Sequence, residues 1–460
     1  MGLAACSGGA APGSPTPTVT PTPTPSAATC SLRSRQDWAA GQLREWYLFP
    51  ETLPATLDPS GYASVDAYID ALTATARAQG RDRYFTYLTS IASENAFYQS
   101  GSTAAFGIRI QTDAAARRVF VIDAYEGAPA LAAGIDRGTE ITEIGTNSGT
   151  MRSVDAIIAS DGTAGISAAL GPSTAGTTRT LRIADTGGTR IVTITKADFA
   201  IPPISPRFGT KILSENGQRI GYINLRTFIS PAEPALRDAF ASFRAQGVNQ
   251  VIVDLRYNGG GLVSIAELMG DLMGDNRAPT DAFNITTFRP EKSSNNETHF
   301  FTRQPQAIAP LRIAFIGTGG TASASELVIN GFTPYLQKAS ALIGANTYGK
   351  PVGQIALDRT ACDDRLRVVA FAEQNAARQG NYFNGLASEV GATCQAGDSL
   401  AAQMGDPAEA STKVALDFLA GRSCTPISTD AKAAAVREGQ RSLLMPARPS
   451  AAQREVPGTF

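Results

Sequence analysis

One stretch, Leu311 to Gln354, limits what this chain can fold into more than any other. It begins with Leu311-Arg-Ile-Ala-Phe-Ile-Gly317, an apolar run with the length and β-propensity of a buried strand. A turn of small residues follows, Thr318-Gly-Gly-Thr321, and Ala322-Ser-Ala-Ser-Glu326 then opens a helical pattern that runs through Leu336. Ser323 therefore falls where a strand becomes a helix. The first N–H groups of a helix have no intrahelical partner and sit at the positive end of its dipole, so a nucleophile there has donors ready for a developing oxyanion. A second strand, Ala341-Leu-Ile-Gly344, leads to Asn346-Thr-Tyr-Gly-Lys350-Pro-Val-Gly-Gln354, a Gly/Pro loop carrying one lysine and one glutamine.

Composition adds weight to that lysine. Positive charge is carried almost wholly by arginine; the lysines are Lys196, Lys211, Lys292, Lys338, Lys350, Lys413 and Lys432. The one histidine, His299, lies in the polar segment Asn295-Asn-Glu-Thr-His-Phe-Phe301, and any Ser-His-Asp triad must use it. A lysine can take a serine proton when burial lowers its pKa towards neutrality. Taken alone, Ser323 reads better as a helix N-cap. Ser325, two residues along the helix, projects away from it. The Gly-Thr turn with Lys350 and Gln354 following in order favours Ser323 as a nucleophile.

Thr321-Ala-Ser-Ala-Ser-Glu326, followed by Tyr348-Gly-Lys350 and Gln354, resembles the carboxyl-terminal processing (tail-specific) protease family. The resemblance implies a Ser/Lys dyad with Ser323 as nucleophile, Lys350 as general base and Gln354 orienting the lysine. The family's Lys-Gly-Thr-Val-Gln reads Lys350-Pro-Val-Gly-Gln354 here, so the spacing is kept while the residues between differ. Upstream, the buried strand Gln250-Val-Ile-Val-Asp-Leu255 runs into Arg256-Tyr-Asn-Gly-Gly-Gly261, similar to the family's Leu-Arg-Asn-Asn-(Pro/Gly)-Gly-Gly. An N–H of Gly260 or Gly261, with that of Ala324, is the expected oxyanion hole. The glycine loop lacks the Gly-Lys-Ser/Thr of a phosphate site.

Along the chain, residues 1–29 read as a lipoprotein-like N-terminus and tether. Leu3-Ala-Ala-Cys6 resembles a lipidation box, and Pro-Thr repeats follow it. Only Met1 and Gly2 precede the box, so the reading expects a longer start with an apolar h-region. Residues 30–101 read as a helical cap with helices over Gln36–Tyr47, Val65–Gln79 and Arg83–Ala92, and with Trp38, Trp46, Tyr47, Tyr84, Phe85 and Tyr87 as its core. Residues 102–199 change to short strands and glycine turns. There Ala105-Phe-Gly-Ile-Arg-Ile110 resembles a PDZ carboxylate-binding loop, which implies peptide contacts at Phe106, Gly107 and Ile108: free N–H groups cradle a terminal carboxylate and a strand edge pairs with the peptide. Residues 200–424 complete a right-handed succession of β-α units with the site at strand carboxyl ends. The resemblance names this an α/β crotonase/Clp-peptidase-like core with an inserted PDZ domain. Residues 425–460 are expected to be a mobile tail.

Net charge is -1 with no basic stripe, which argues against nucleic acid as a partner, and no run of eighteen apolar residues offers a membrane span. One histidine and no CxxC spacing give no zinc ligand set, and neither metal nor organic cofactor is implied. Cys30, Cys362, Cys394 and Cys424 fit one or two disulfides in an oxidising envelope, with three connectivities open. The reading is a bacterial envelope serine endopeptidase, facing the periplasm as a lipoprotein anchored through Cys6, that cuts protein or peptide substrates near an apolar, free C-terminus. The alternative is a non-catalytic peptide- or lipid-binding relative of the same fold.

Overall fold

The structure, a computed structural model, describes residues 29–428 and 441–460; Cys6 and all but the last residue of the Pro/Thr-rich tether lie outside the described residues. The central sheet has six strands in the order Thr210–Glu215, Gln218–Asn224, Gln250–Asp254, Arg312–Gly317, Ser340–Gly344 and Thr393–Gln395. The first pair is antiparallel and the rest are parallel. Parallel strands are covered on both faces and so read as unbroken apolar runs. Val251, Ile252 and Val253, like Ile313 to Ile316, are fully buried. Helices Ala232–Ala245, Val263–Leu272 and Ala324–Leu336 join one core cluster, around Phe243, Met269 and Phe332. Helix Ala410–Leu419 joins another, with Ile252, Ala314 and Ile343. Asp254 pairs with Ile316, and Gly317 with Gly344, so the glycine loop, the serine turn and the lysine loop leave the sheet side by side at its carboxyl edge.

A second, antiparallel sheet is built on Asp364–Gln374. That strand pairs along its length with Val352–Arg359, and in succession with Tyr87–Ser90 and Ala282–Phe288. Helices Leu32–Trp46 and Val65–Leu72 bury Leu43, Tyr47 and Ile69 with its Val352, Leu366 and Val368. The expected helix over Arg83–Ala92 is instead the strand Tyr87–Ser90 followed by helix Ile91–Ser100. Asp82 accepts the Phe85 and Thr86 N–H groups, and Tyr84 has φ of 65°, which turns the chain before a helix can start. Tyr87-Leu-Thr then finds a ladder partner in Arg365–Arg367. Tertiary pairing outweighs local propensity here.

Strands Ser102–Ala105 and Ala197–Ala200 pair antiparallel, so the chain enters and leaves the unit between them at one point. Inside are the strands Ile108–Asp113, Arg118–Ala124, Glu140–Gly145, Thr178–Asp185 and Gly188–Thr195 and the helix Val154–Leu170, with a core of their own. Two disulfides resolve the connectivity left open by sequence: Cys30–Cys362 ties the first helix to the second sheet, and Cys394–Cys424 ties the edge strand to the segment after helix Ala410–Leu419.

The expectation of a mobile tail fails for its described part. Residues 441–460 form a strand, Ser442–Leu443, and a helical turn, Ala451–Glu455. Ala451, Val456 and Phe460 are buried. Prolines and glycine (Pro446, Pro449, Pro457, Gly458) leave this segment without a periodic pattern of its own, and its order comes from the strand edge it covers.

Candidate active site

Ser323 begins helix Ala324–Leu336 with φ of 55°, a left-handed conformation that a non-glycine residue adopts only when its surroundings enforce it. The enforcing contacts are specific. Ala322 N–H donates to Asn258 O at 3.0 Å, and Thr321 Oγ1 donates to Leu255 O at 2.9 Å. Both bonds stitch the serine turn to the glycine loop after the neighbouring strand. Gly260 lies against Ser323 so closely that a Cβ on it would come within 2.8 Å of the serine Cβ, and its φ of 123° is open to glycine.

Sequence reasoning missed Glu326. It is fully buried, and its carboxylate joins the serine turn to the lysine loop. Oε2 accepts the N–H of Ser323 at 3.0 Å and the N–H of Lys350 at 2.7 Å; Oε1 accepts the N–H of Gly349 at 2.7 Å. Burial raises its pKa, and hydrogen bonds from Thr347 and from these three N–H groups work against that rise. The available signal was Ser-x-x-Glu at a helix start, a capping-box pattern in which the glutamate reaches back to the first N–H.

Lys350 Nζ donates to Gln354 Oε1 at 2.8 Å and lies 5.1 Å from the centre of the Phe85 ring. Gln354 Nε2 donates in turn to Phe85 O at 2.5 Å, which fixes the amide with its oxygen towards the lysine. Arg83 holds the loop from the other side through Tyr348 O and Gly349 O. Burial lowers the Lys350 pKa below the ordinary lysine value; Glu455 opposes the shift and Arg454 adds to it. Among the described residues no hydrogen bond joins Lys350 Nζ to the Ser323 hydroxyl. The structure thus brings Ser323, Lys350 and Gln354 to one edge of the sheet with the lysine engaged by the glutamine.

The other candidates sort by their bonds. Gly260 N–H is committed to Asn258 Oδ1 at 2.9 Å, so in this conformation it is not open to an oxyanion; Gly261 and Ala324 are the expected donors that stay in play. Ser325 is buried and its hydroxyl donates to Asn258 O at 3.0 Å, a structural bond. His299 Nε2 pairs with Asp271 Oδ1 at 3.1 Å, with the Glu267 carboxylate and the Phe283 ring beside it, and makes no bond to Ser323. Under the glycine loop, buried Arg256 bonds Asp254 at 3.0 Å and Glu409 through two bonds of 2.9 Å. These charges are mutually satisfied and brace the loop. At the inserted unit, Phe106 is core, and the Gly107 and Ile108 N–H groups both donate to Phe460 O. No helix is long and apolar enough to cross a membrane, and no cluster of His, Cys, Asp or Glu could hold a metal ion, among the described residues.

A strained serine at a strand-to-helix turn, a glycine loop against it and a half-buried lysine whose backbone shares the Glu326 carboxylate with the serine meet at one edge of a mixed α/β fold. The same fold is seen in a Bacteroides fragilis protein assigned to the S41 proteases: TM-score 0.64 at 20% identity, over 84% of this chain and 97% of that one. Residues 219–378, which hold the glycine loop, the serine turn and the lysine loop, match the model of peptidase family S41. Similar proteins include the carboxyl-terminal-processing protease of Picosynechococcus, 25% identical over 252 residues, 55% of each chain. Another is the chloroplastic carboxyl-terminal-processing peptidase 2 of Arabidopsis thaliana, 28% identical over 262 residues, 55% of this chain and 45% of that one. The chain spans about half the length of the curated relatives it matches.

Proposed function

We propose that this chain is a serine endopeptidase that cleaves proteins near apolar C-terminal tails through a Ser323/Lys350 dyad. The observation that carries the reading is the Glu326 carboxylate, which binds the N–H groups of Ser323 and Lys350 with one oxygen and so sets the two residues in a fixed relation. Neutral Lys350 accepts the Ser323 proton as Oγ attacks the scissile carbonyl carbon. The resulting oxyanion meets the N–H groups of Ala324 and Gly261. Collapse expels the amine, which takes its proton from Lys350, and water then hydrolyses the acyl-enzyme by the same route in reverse. Gln354 orients the neutral Lys350 amine through its Oε1. The unit 102–199 acts as a PDZ-like tail receptor, with the Gly107 and Ile108 N–H groups as its carboxylate donors.

Two disulfides and the Cys6 box support an oxidising envelope location with a lipid anchor at Cys6. Acylation by a fluorophosphonate probe tests the chemistry: a covalent adduct on Ser323 is expected, and absence of any adduct favours the non-catalytic peptide- or lipid-binding alternative. For the anchor, Cys6→Ser is expected to move the protein out of the membrane fraction. A wild type already soluble contradicts it.

A further inference from the structure

Residues 441–460 occupy the two places an incoming substrate needs. At the inserted unit, this segment runs antiparallel to the free edge of Ile108–Asp113. Gly107 and Ile108 N–H donate to Phe460 O at 3.0 and 3.3 Å, Phe460 N–H donates to Ile108 O at 2.9 Å, and Ile110 N–H donates to Gly458 O at 2.8 Å. Farther along the edge, Leu444 N–H donates to Ile110 O at 3.0 Å. This is strand addition, the way a sheet edge takes up an extended peptide. The Phe460 side chain is 2% exposed and belongs to the same apolar cluster as Phe106, Ile157 and Leu170. Thr459 is fixed by Tyr125 Oη at 2.8 Å.

The middle of the segment, around Arg454 and Glu455, reaches the glycine loop and the lysine. Glu455 O accepts the Gly259 N–H at 2.9 Å, from the same glycine loop that abuts Ser323, and Tyr98 Oη donates to the Glu455 carboxylate at 2.8 Å. Arg454 stacks on Tyr87 at 3.6 Å. A cavity of 1120 Å³ is lined by Lys350, Gln354 and Ala322 on one side and by Leu443, Arg454 and Glu455 on the other.

We infer that residues 441–460 are a built-in competitor, seated in the peptide groove and across the cleft, that a substrate tail must displace. The inference rests on reading the 102–199 unit as a peptide receptor. An occupant on the same chain acts at a millimolar-scale effective concentration, so a free peptide sees the groove as largely filled. The test is fluorescence polarisation of a dye-labelled peptide with the sequence of residues 451–460, titrated with the Ser323→Ala chain alone or with Phe460→Ala added. Removing the buried ring is expected to raise apparent affinity for the peptide about tenfold or more. Gly458→Val is a second route to the same release: Gly458 has φ of 85°, and a Cβ there meets Ile110 O at 2.9 Å. It is expected to give a similar gain. Binding of equal strength by parent and both variants overturns the competitor and leaves the receptor standing. Binding by none of them, with circular dichroism unchanged, overturns the receptor reading and the competitor with it.

Discussion

Glu326 shows how one side chain can set a site's geometry without touching a substrate. Its two oxygens take three N–H donors, and an amide there must turn an NH2 group towards at least one of them. Glu326→Gln is therefore expected to destabilise by about 1–3 kcal/mol and to lower kcat more than it raises KM, as judged by melting and steady-state kinetics. A fall in melting temperature with kcat untouched would make the residue purely structural. Lys350 makes a pH prediction with a definite sign. Only its neutral form accepts a proton, so the rate should rise with pH through the lysine pKa, which burial sets below the ordinary value. Lys350→Arg should stay inactive across the range, since guanidinium remains charged. That the serine turn and the lysine loop leave one edge of the sheet was legible in the sequence, because the spacing of turn, lysine and glutamine is local. Glu326 was not, because a glutamate at the third position of a helix is usually only a cap.

Among elements, the three parallel strands ending at Asp254, Gly317 and Gly344 were readable as apolar runs, and their loops followed from β-α order. Strand Tyr87–Ser90 and segment 441–460 were not readable, because each is ordered by a distant partner rather than by its own pattern. The edge at Gly107–Ile110 carries a prediction of its own. In the Phe460→Ala background, peptides with a free carboxylate should bind better than their amides, because amidation removes the charge that the two N–H groups meet; equal binding would mark the unit as structural. A second element-scale prediction concerns Glu373, at the end of Asp364–Gln374. Burial, opposed by hydrogen bonds with Asn284 and Thr286, pushes its carboxyl from 4.5 up to about 8. The folded state thus binds the proton more tightly than the unfolded chain. Its stabilising contribution is fully present below pH 4.5 and is lost as pH rises through 8. Glu373→Gln should match wild type in melting near the lower limit and exceed it above the upper one, by on the order of 5 kcal/mol. Parallel melting curves across that window would refute the assignment.

At the scale of the molecule, distant parts of the chain are held together covalently and by charge. Cys30–Cys362 spans 332 residues, and closing so long a loop is worth about 6 kcal/mol in the chain-entropy account. Replacing both cysteines by serine should lower the denaturant midpoint by a corresponding amount, and an unchanged midpoint would show that helical packing alone holds the first helix. Arg226 joins the inserted unit to the central sheet, with bonds of 3.0 and 2.9 Å to Asp123 and 2.7 Å to Glu126. Cysteine pairing and this inter-unit contact were beyond the sequence because both depend on how the units dock. The central claim is that Ser323 and Lys350 form one hydrolytic unit. Its most direct measurement is hydrolysis of a peptide with an apolar free C-terminus by Ser323→Ala, Lys350→Ala and His299→Ala, each made in the wild-type and Phe460→Ala chains. Serine at its free pKa is a weak nucleophile, and residues acting as a unit fail together, so the first two should each lose at least about a thousandfold in kcat/KM while the third keeps most of it. Substantial hydrolysis by Lys350→Ala, or a loss confined to His299→Ala, would contradict the account.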